Sequence, residues 1–204
     1  EWGLDIVASG SQKGYMIPPG LSFVSMSEKA WEASENSNLP KFYLNLKSYK
    51  KSLLSNSNPY TPAVNLVFAL DASLKMMKEE GLDKIFNKHE RHKLAVSEAA
   101  KKLNLTLFAD EKHLSPSVTA IQIEDIDAEK FRKIIKNKYD ILLAGGQDHL
   151  KGRIFRVGHL GYINDRDIIS VISAISNTLV EQNLITTEKA GEALKVATYH
   201  LSGK

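Results

Sequence analysis

The sequence predicts a mixed α/β chain: the end of one α/β domain up to about residue 55, helices after it, and a compact α+β domain from about residue 105. Three observations predict this. Two short strand patterns, 4–9 and 21–26, flank a glycine- and proline-rich turn. Long helical stripes run from Pro62 to about residue 103. Beyond them, short strand patterns alternate with helical ones to the end of the chain.

In chain order, residues 4–9 read as a short buried strand and 10–20 as a turn region holding Gly10, Gly14, Pro18, Pro19 and Gly20. Leu21–Met26 alternates with the period of two that a strand requires. Ser27 ahead of Glu28-Lys29-Ala30-Trp31 reads as an N-cap and a short helix. Residues 42–54 make a second short helix, closed by the loop Ser55-Asn56-Ser57-Asn58-Pro59. From Pro62 the stripe Val64, Val67, Phe68, Leu74, Met77 predicts a helix that breaks at Glu80-Gly81. A second long helix, 82–103, carries Ile85, Phe86, Val96, Ala99 and Leu103 at helical spacing. Then come strands at 105–108 and 118–123, a helix at 127–138, strands at 141–144 and 154–158, and helices at 165–182 and 187–201. The part from about residue 60 onward is expected to be a helix-flanked, largely antiparallel sheet with Arg156 on one strand.

Composition removes several function classes. The 204 residues are 43% hydrophobic and 25% charged, which argues against a disordered chain, a fibrous repeat or a coiled coil. A net charge of +3, from 27 basic and 24 acidic residues, is too small to argue for a nucleic-acid partner without a clustered patch. With no cysteine, disulfides, cysteine–zinc sites, iron–sulfur clusters and thiol nucleophiles are excluded. The apolar runs fall short of a membrane span. Glu1-Trp2-Gly3-Leu4-Asp5 has neither the basic start nor the apolar core of a signal peptide, so a cytoplasmic location is expected. The chain lacks an initiator Met and opens within a strand pattern, which suggests the carboxy-terminal portion of something longer.

Few residues carry a chemical signal. Lys13 follows a strand within Ser11-Gln12-Lys13-Gly14, where bare glycine backbone lets a ligand approach closely. A partly desolvated lysine there can form a Schiff base with an aldehyde, although a solvated turn lysine fits the local pattern as well. The Gln12 amide could donate to a phosphate oxygen or be an ordinary turn amide. Arg156 lies inside an apolar strand, where a guanidinium is costly unless it meets an anion. A substrate carboxylate, matched by a bidentate fork, or a structural salt bridge would each answer that cost. Arg153, an odd number of positions away, would face the other side of a strand. Tyr60 and Thr61 head the helix after the Asn/Pro loop, either as a phosphate contact or as a simple cap with Pro62 at the first helical position. His89 and His92 continue the Ile85–Val96 stripe without an apparent third ligand, so packing is expected of them and no metal site. Gly145-Gly146 lacks the rest of any phosphate-loop motif, and the lysines of 133–138 read as the solvated face of a helix.

An ordered series of segments goes further than any single residue. Ala8-Ser9-Gly10-Ser11-Gln12-Lys13, Pro18-Pro19-Gly20-Leu21, Ser25, Ser27 and Lys29-Ala30 resemble the cofactor-lysine region of class V pyridoxal-phosphate-dependent aminotransferases. Phe42-Tyr43-Leu44-Asn45, Tyr60-Thr61-Pro62-Ala63, Gly81-Leu82, Gly145-Gly146-Gln147 and Arg153 through Gly161 continue the resemblance in the family's order. The likeness is to the alanine–glyoxylate and serine–pyruvate group, which includes cyanobacterial proteins described as soluble hydrogenase small subunits.

The resemblance implies a fold-type I pyridoxal-phosphate transferase, of which this chain would be the carboxy-terminal part. Residues 1–55 would be a remnant of the large cofactor-binding domain, 56–104 interface and connecting helices, and 105–204 the small domain. It implies that Lys13 binds the cofactor covalently and carries a proton in catalysis, and that Gln12, Tyr60 and Thr61 contact the cofactor. The Tyr60–Thr61 segment would reach the phosphate of a neighbouring subunit in a homodimer with shared sites, and Arg156 would hold the substrate carboxylate. The aspartate facing the pyridine nitrogen, the ring-stacking aromatic and the phosphate loop would precede Glu1; Asp5 is too near Lys13 to be that aspartate. The implied reaction is transamination between a small amino acid, serine or alanine, and a 2-oxo acid, glyoxylate or pyruvate. A lyase on the same scaffold, or a non-catalytic dimerisation partner, stands as the alternative; desulfurases of this kind usually need a cysteine, which is absent.

Overall fold

The computed structural model describes residues 2–124 and 126–203. The chain divides into two compact units, Glu1–Glu79 and Glu80–Lys204, so the expected connecting segment 56–104 is shared between them.

The first unit begins with an antiparallel ribbon of β1 (Ile6–Gly10) and β2 (Ser22–Met26), in register from Ile6 opposite Met26 to Gly10 opposite Ser22. The strand expected to be buried is not. Ile6 and Val7 are 60% and 47% exposed, because β1 pairs with one strand and its faces carry no packed layer within the described residues. Ser27 caps α1 (Glu28–Glu35) as expected, its hydroxyl accepting from the Ala30 amide at 3.1 Å. The same hydroxyl donates to Asp5 at 2.8 Å, which ties the start of β1 to the head of the helix.

The second short helix, α2 (Leu46–Leu54), starts four residues later than expected because the Asn45 side chain accepts from Lys47 N and caps it there. In α3 (Val64–Glu80) the expected apolar stripe is largely exposed, Phe68 at 71%. Met77 of that stripe is half-buried and joins the packed side, a row at helical spacing with Leu66, Ala69, Leu70 and the buried Ser73.

The second unit is an antiparallel four-stranded sheet in the order β3-β4-β6-β5, flanked by four helices. Its strands are β3 (Thr106–Leu107), β4 (Val118–Gln122), β5 (Ala144–Gly145) and β6 (Ile154–Gly158). Its helices are α4 (Leu82–Lys102), α5 (Ala128–Tyr139), α6 (Asp165–Glu181) and α7 (Thr187–Leu201). The expected helix-flanked antiparallel sheet, with Arg156 on a strand, is present.

Helix α4 packs along α7, and α6 lies against α7 and α5. The core gathers Val96 and Ala99 of α4, Phe131 and Ile135 of α5, Ile168 and Ile172 of α6, and Ala193 and Ala197 of α7 over one face of the sheet. Ile121, Phe155 and Val157 supply that face, and the rings of Phe131 and Phe155 meet at 5.2 Å. Asn164 and Asp167 form a reciprocal capping box at the head of α6. Of the expected 82–103 stripe, Ile85, Val96, Ala99 and Leu103 are buried and Phe86 is exposed. Among the described residues no helix is long and apolar enough to cross a membrane.

Candidate active site

The lysine turn is built by a buried serine. Ser11 is fully buried; its amide donates to Leu21 O at 3.0 Å, and its hydroxyl donates to Pro18 O at 2.7 Å and accepts from Leu21 N at 3.1 Å. One residue therefore closes the whole loop from β1 to β2. Within it, Lys13 N donates to Gly10 O at 3.1 Å and Met16 N to Lys13 O at 3.1 Å, with Met16 in the left-handed region at φ 61°. A Cβ on Gly10 would fall 2.7 Å from Gln12 Oε1, so the bare glycine lets the Gln12 amide fold back over the strand end. Helix α3 backs the loop: Ser73 Oγ donates to Tyr15 O at 2.6 Å, and Leu66 sits where a side chain on Gly20 would begin.

On this loop Gln12 and Lys13 are exposed, and among the described residues the Lys13 ammonium has no ion-pair partner. Partial desolvation of Lys13, expected from the sequence, is therefore not provided by the described residues, since the turn stands at the tip of a two-stranded ribbon.

Tyr60 is half-buried, its hydroxyl donating to Phe42 O at 3.2 Å and its ring lying 4.7 Å from Tyr43 and 6.0 Å from Phe42. Thr61 is exposed and does not cap the helix. The first i to i+4 bond runs from Val67 N to Ala63 O, so α3 opens after Pro62 and not at it. Gln12 and Lys13 share one turn, whereas no hydrogen bond joins that turn to Tyr60 or Thr61 among the described residues.

Arg156 lies at the centre of β6 in the second unit. Its strand neighbours Phe155 and Val157 are buried in the core, so Arg156 points to the opposite face of the sheet, half-buried. Ala120 of β4 and Ala144 of β5 stand directly opposite it in register, small residues that leave the guanidinium uncrowded. Its Nε donates to Gly145 O at 2.9 Å. Among the described residues no carboxylate pairs with it, which removes the structural salt bridge as its explanation there. Arg153 falls in the turn before β6, outside the strand, and so is not assigned to either face of the sheet by strand alternation.

The histidines pack, as expected, but in an arrangement the sequence did not reveal. His92 is fully buried with Nε2 2.8 Å from Asp165 Oδ1, and His89 Nδ1 meets His159 O at 2.9 Å. His159, also fully buried, bonds Pro116 O through Nδ1 at 3.0 Å and Thr119 Oγ1 through Nε2 at 2.8 Å. That pairing makes Nδ1 the protonated nitrogen and Nε2 the acceptor. Burial pushes the His159 imidazole down from 6.5 to about 4, and burial also lowers His89 and His92.

Residues 1–158 match the family model of aminotransferase class-V. A soluble hydrogenase small subunit from Synechococcus sp. (strain PCC 6716) is 55% identical over 181 residues, covering 89% of this chain and 47% of that protein. The L-aspartate–glyoxylate aminotransferase of Paracoccus denitrificans is 37% identical over 186 residues, 90% of this chain and 47% of that one. The crystal structure of ureidoglycine–glyoxylate aminotransferase from Bacillus subtilis superposes with a TM-score of 0.86 at 26% identity, over 97% of this chain and 53% of that one. The chain thus has the fold of the fold-type I pyridoxal-phosphate transferases and belongs to the class V aminotransferase family. It spans about half the length of the curated relatives it matches.

Class V aminotransferases depend on pyridoxal phosphate. That cofactor requires an amine for its aldehyde and donors for its phosphate. An exposed Lys13 amine without a competing ion pair, beside the Gln12 amide on a loop pinned by buried Ser11, fits those requirements.

Proposed function

We propose that the protein transfers an amino group from a small amino acid, serine or alanine, to a 2-oxo acid, glyoxylate or pyruvate. The observation that carries this reading is Arg156: a half-buried guanidinium flanked by alanines, held through Nε alone and without a carboxylate among the described residues. Its two terminal nitrogens form a fork matched to the carboxylate that donor and acceptor both carry.

Lys13 would hold the cofactor through its amine, and Gln12 would donate to the phosphate. Tyr60 and Thr61 would contact the phosphate of the neighbouring subunit in a homodimer with shared sites. Pyridoxal phosphate, when bound, supplies the electron sink that makes the substrate α-proton removable. Lys13 Nζ, neutral once released from the cofactor, would carry that proton from the substrate α-carbon to the C4′ carbon of the cofactor. Arg156 would hold the substrate carboxylate through its two terminal nitrogens and so fix the orientation of the substrate. The names of the relatives support glyoxylate as the acceptor; the one named for aspartate makes aspartate the competitor to include in any donor panel. The segments 1–55, 56–104 and 105–204 would serve as cofactor-domain remnant, interface helices and small domain. A cytoplasmic location completes the proposal.

The test is Arg156→Lys in the full-length protein. Losing a charge-assisted fork costs about 2–5 kcal/mol by analogy with truncated buried pairs. The kcat/KM for donor and acceptor should therefore fall at least roughly thirtyfold, cofactor absorbance should not change, and ethylamine should react as before. Equal losses with alanine and ethylamine would make Arg156 a structural residue and overturn the reading.

A further inference from the structure

The guanidinium of Arg156 takes its direction from a carbonyl that has little support of its own. Gly145 O, which accepts from Arg156 Nε at 2.9 Å, belongs to β5, a two-residue strand at the edge of the sheet. So short an edge strand keeps its place only if something outside the ladder holds it.

Helix α5 does so. Arg132 Nε donates to Leu143 O at 2.8 Å, one residue ahead of β5, while Arg132 Nη1 pairs with Glu129 Oε2 at 2.6 Å. The same ion pair fills the space a side chain at position 145 would need. A Cβ there would fall 2.5 Å from both Arg132 Nη1 and Glu129 Oε1. Next to it, a Cβ on Gly146 would run into the carbonyl of Leu150, and Gly146 N donates to Ile154 O at 3.1 Å, which closes β5 onto the start of β6. The double glycine is thus a packing requirement. One glycine admits the Glu129–Arg132 pair under the strand, and the other admits the following turn against its end.

We propose that Arg132 and Gly145 are positioning residues for Arg156. The Glu129–Arg132 pair, seated against the bare Gly145, clamps β5 so that the Gly145 carbonyl aims the Arg156 fork at an α-amino or 2-oxo carboxylate. Neither positioning residue touches substrate. The inference rests on the reading of Arg156 given above, and its failure is separable from the failure of that reading.

The experiment uses the full-length protein carrying Arg132→Gln, Gly145→Ala, Arg156→Lys and the double variant Arg132→Gln/Arg156→Lys, assayed with alanine, glyoxylate and ethylamine. Gly145→Ala asks only the tips of two flexible side chains to move, so it carries the test if Arg132→Gln does not fold. Both single positioning variants should raise KM for alanine and glyoxylate roughly three- to thirtyfold, within the span of coupling between residues in contact. Their kcat should change less than about twofold, as expected when carboxylate binding is lost uniformly from ground and transition states. Ethylamine should react at the parental rate. The double variant should be no worse than Arg156→Lys alone, because Arg132 acts only through Arg156. Additive losses in the double variant, or equal losses for alanine and ethylamine in the positioning variants, would overturn the proposal. If Arg156→Lys itself shows no preference for carboxylate substrates, the underlying reading of Arg156 falls, and the proposal with it.

Discussion

Acid should weaken the second unit through one buried imidazole. His159 is fully buried between β4 and α4, with Nδ1 donating to Pro116 O and Nε2 accepting from Thr119. A proton on Nε2 would have to enter a site that already satisfies the neutral ring, with His89 and His92 nearby to oppose the charge. Burial brings the group from 6.5 down to about 4. Between those two values the unfolded chain binds a proton that the folded chain refuses, so stability falls as the pH drops from about 6.5 toward 4. At about 1.4 kcal/mol per pH unit, the loss attributable to His159 between pH 7 and 4.5 is about 2.5 kcal/mol.

Urea unfolding should be followed by helical circular dichroism, since Trp2 and Trp31 both lie in the first unit and would miss the event. The parent should lose about 2.5 kcal/mol more than His159→Gln over that interval. Imidazole resonances in the folded protein should show His159 still neutral at pH 5. A His159 titrating near 6.5 in the folded state, or a variant with the same pH slope as the parent, would rule out this imidazole as the source of the acid sensitivity.

Two other outcomes follow from the same structure. Phe155→Ala removes a ring packed 5.2 Å from Phe131 at the centre of the core, and should cost about 3–5 kcal/mol in urea unfolding of the second unit. If the assembly shares its sites, inactive Lys13→Ala mixed with inactive Thr61→Ala should regain activity in heterodimers, and no recovery despite demonstrated subunit exchange would place each site within one chain.

Much of the second unit is legible in the sequence because its signals are local. Ile154–Gly158 alternates within a short apolar run, and 187–201 carries an alanine stripe behind the Thr186 cap, so strand and helix fall where the pattern puts them. The run at 141–144 is apolar enough for a strand, yet only Ala144–Gly145 pairs, because Leu143 O is engaged by Arg132. Burial in the first unit is less legible. The apolar residues of β1 and of the Val64–Phe68 face of α3 mark surfaces that want cover, and periodicity does not say what covers them.

Lys13, Gln12, Tyr60, Thr61 and Arg156 stand out as residues, but what positions them does not. The Gly145 carbonyl that holds Arg156 leaves no side-chain signature, and neither does the space its missing Cβ yields to Arg132. The His159 site likewise joins residues from Thr119, Pro116 and α4 that no sequence spacing connects.

Lys13 is the residue on which the proposed chemistry turns. Borohydride reduction of the full-length protein as purified with pyridoxal phosphate, followed by peptide mapping, tests it most directly. A phosphopyridoxyl group should form on Lys13 and on no other lysine, with the absorbance of the bound cofactor lost on reduction and absent from Lys13→Ala. Label recovered on another lysine with Lys13 unmodified would contradict it, as would a protein that takes up no cofactor at all.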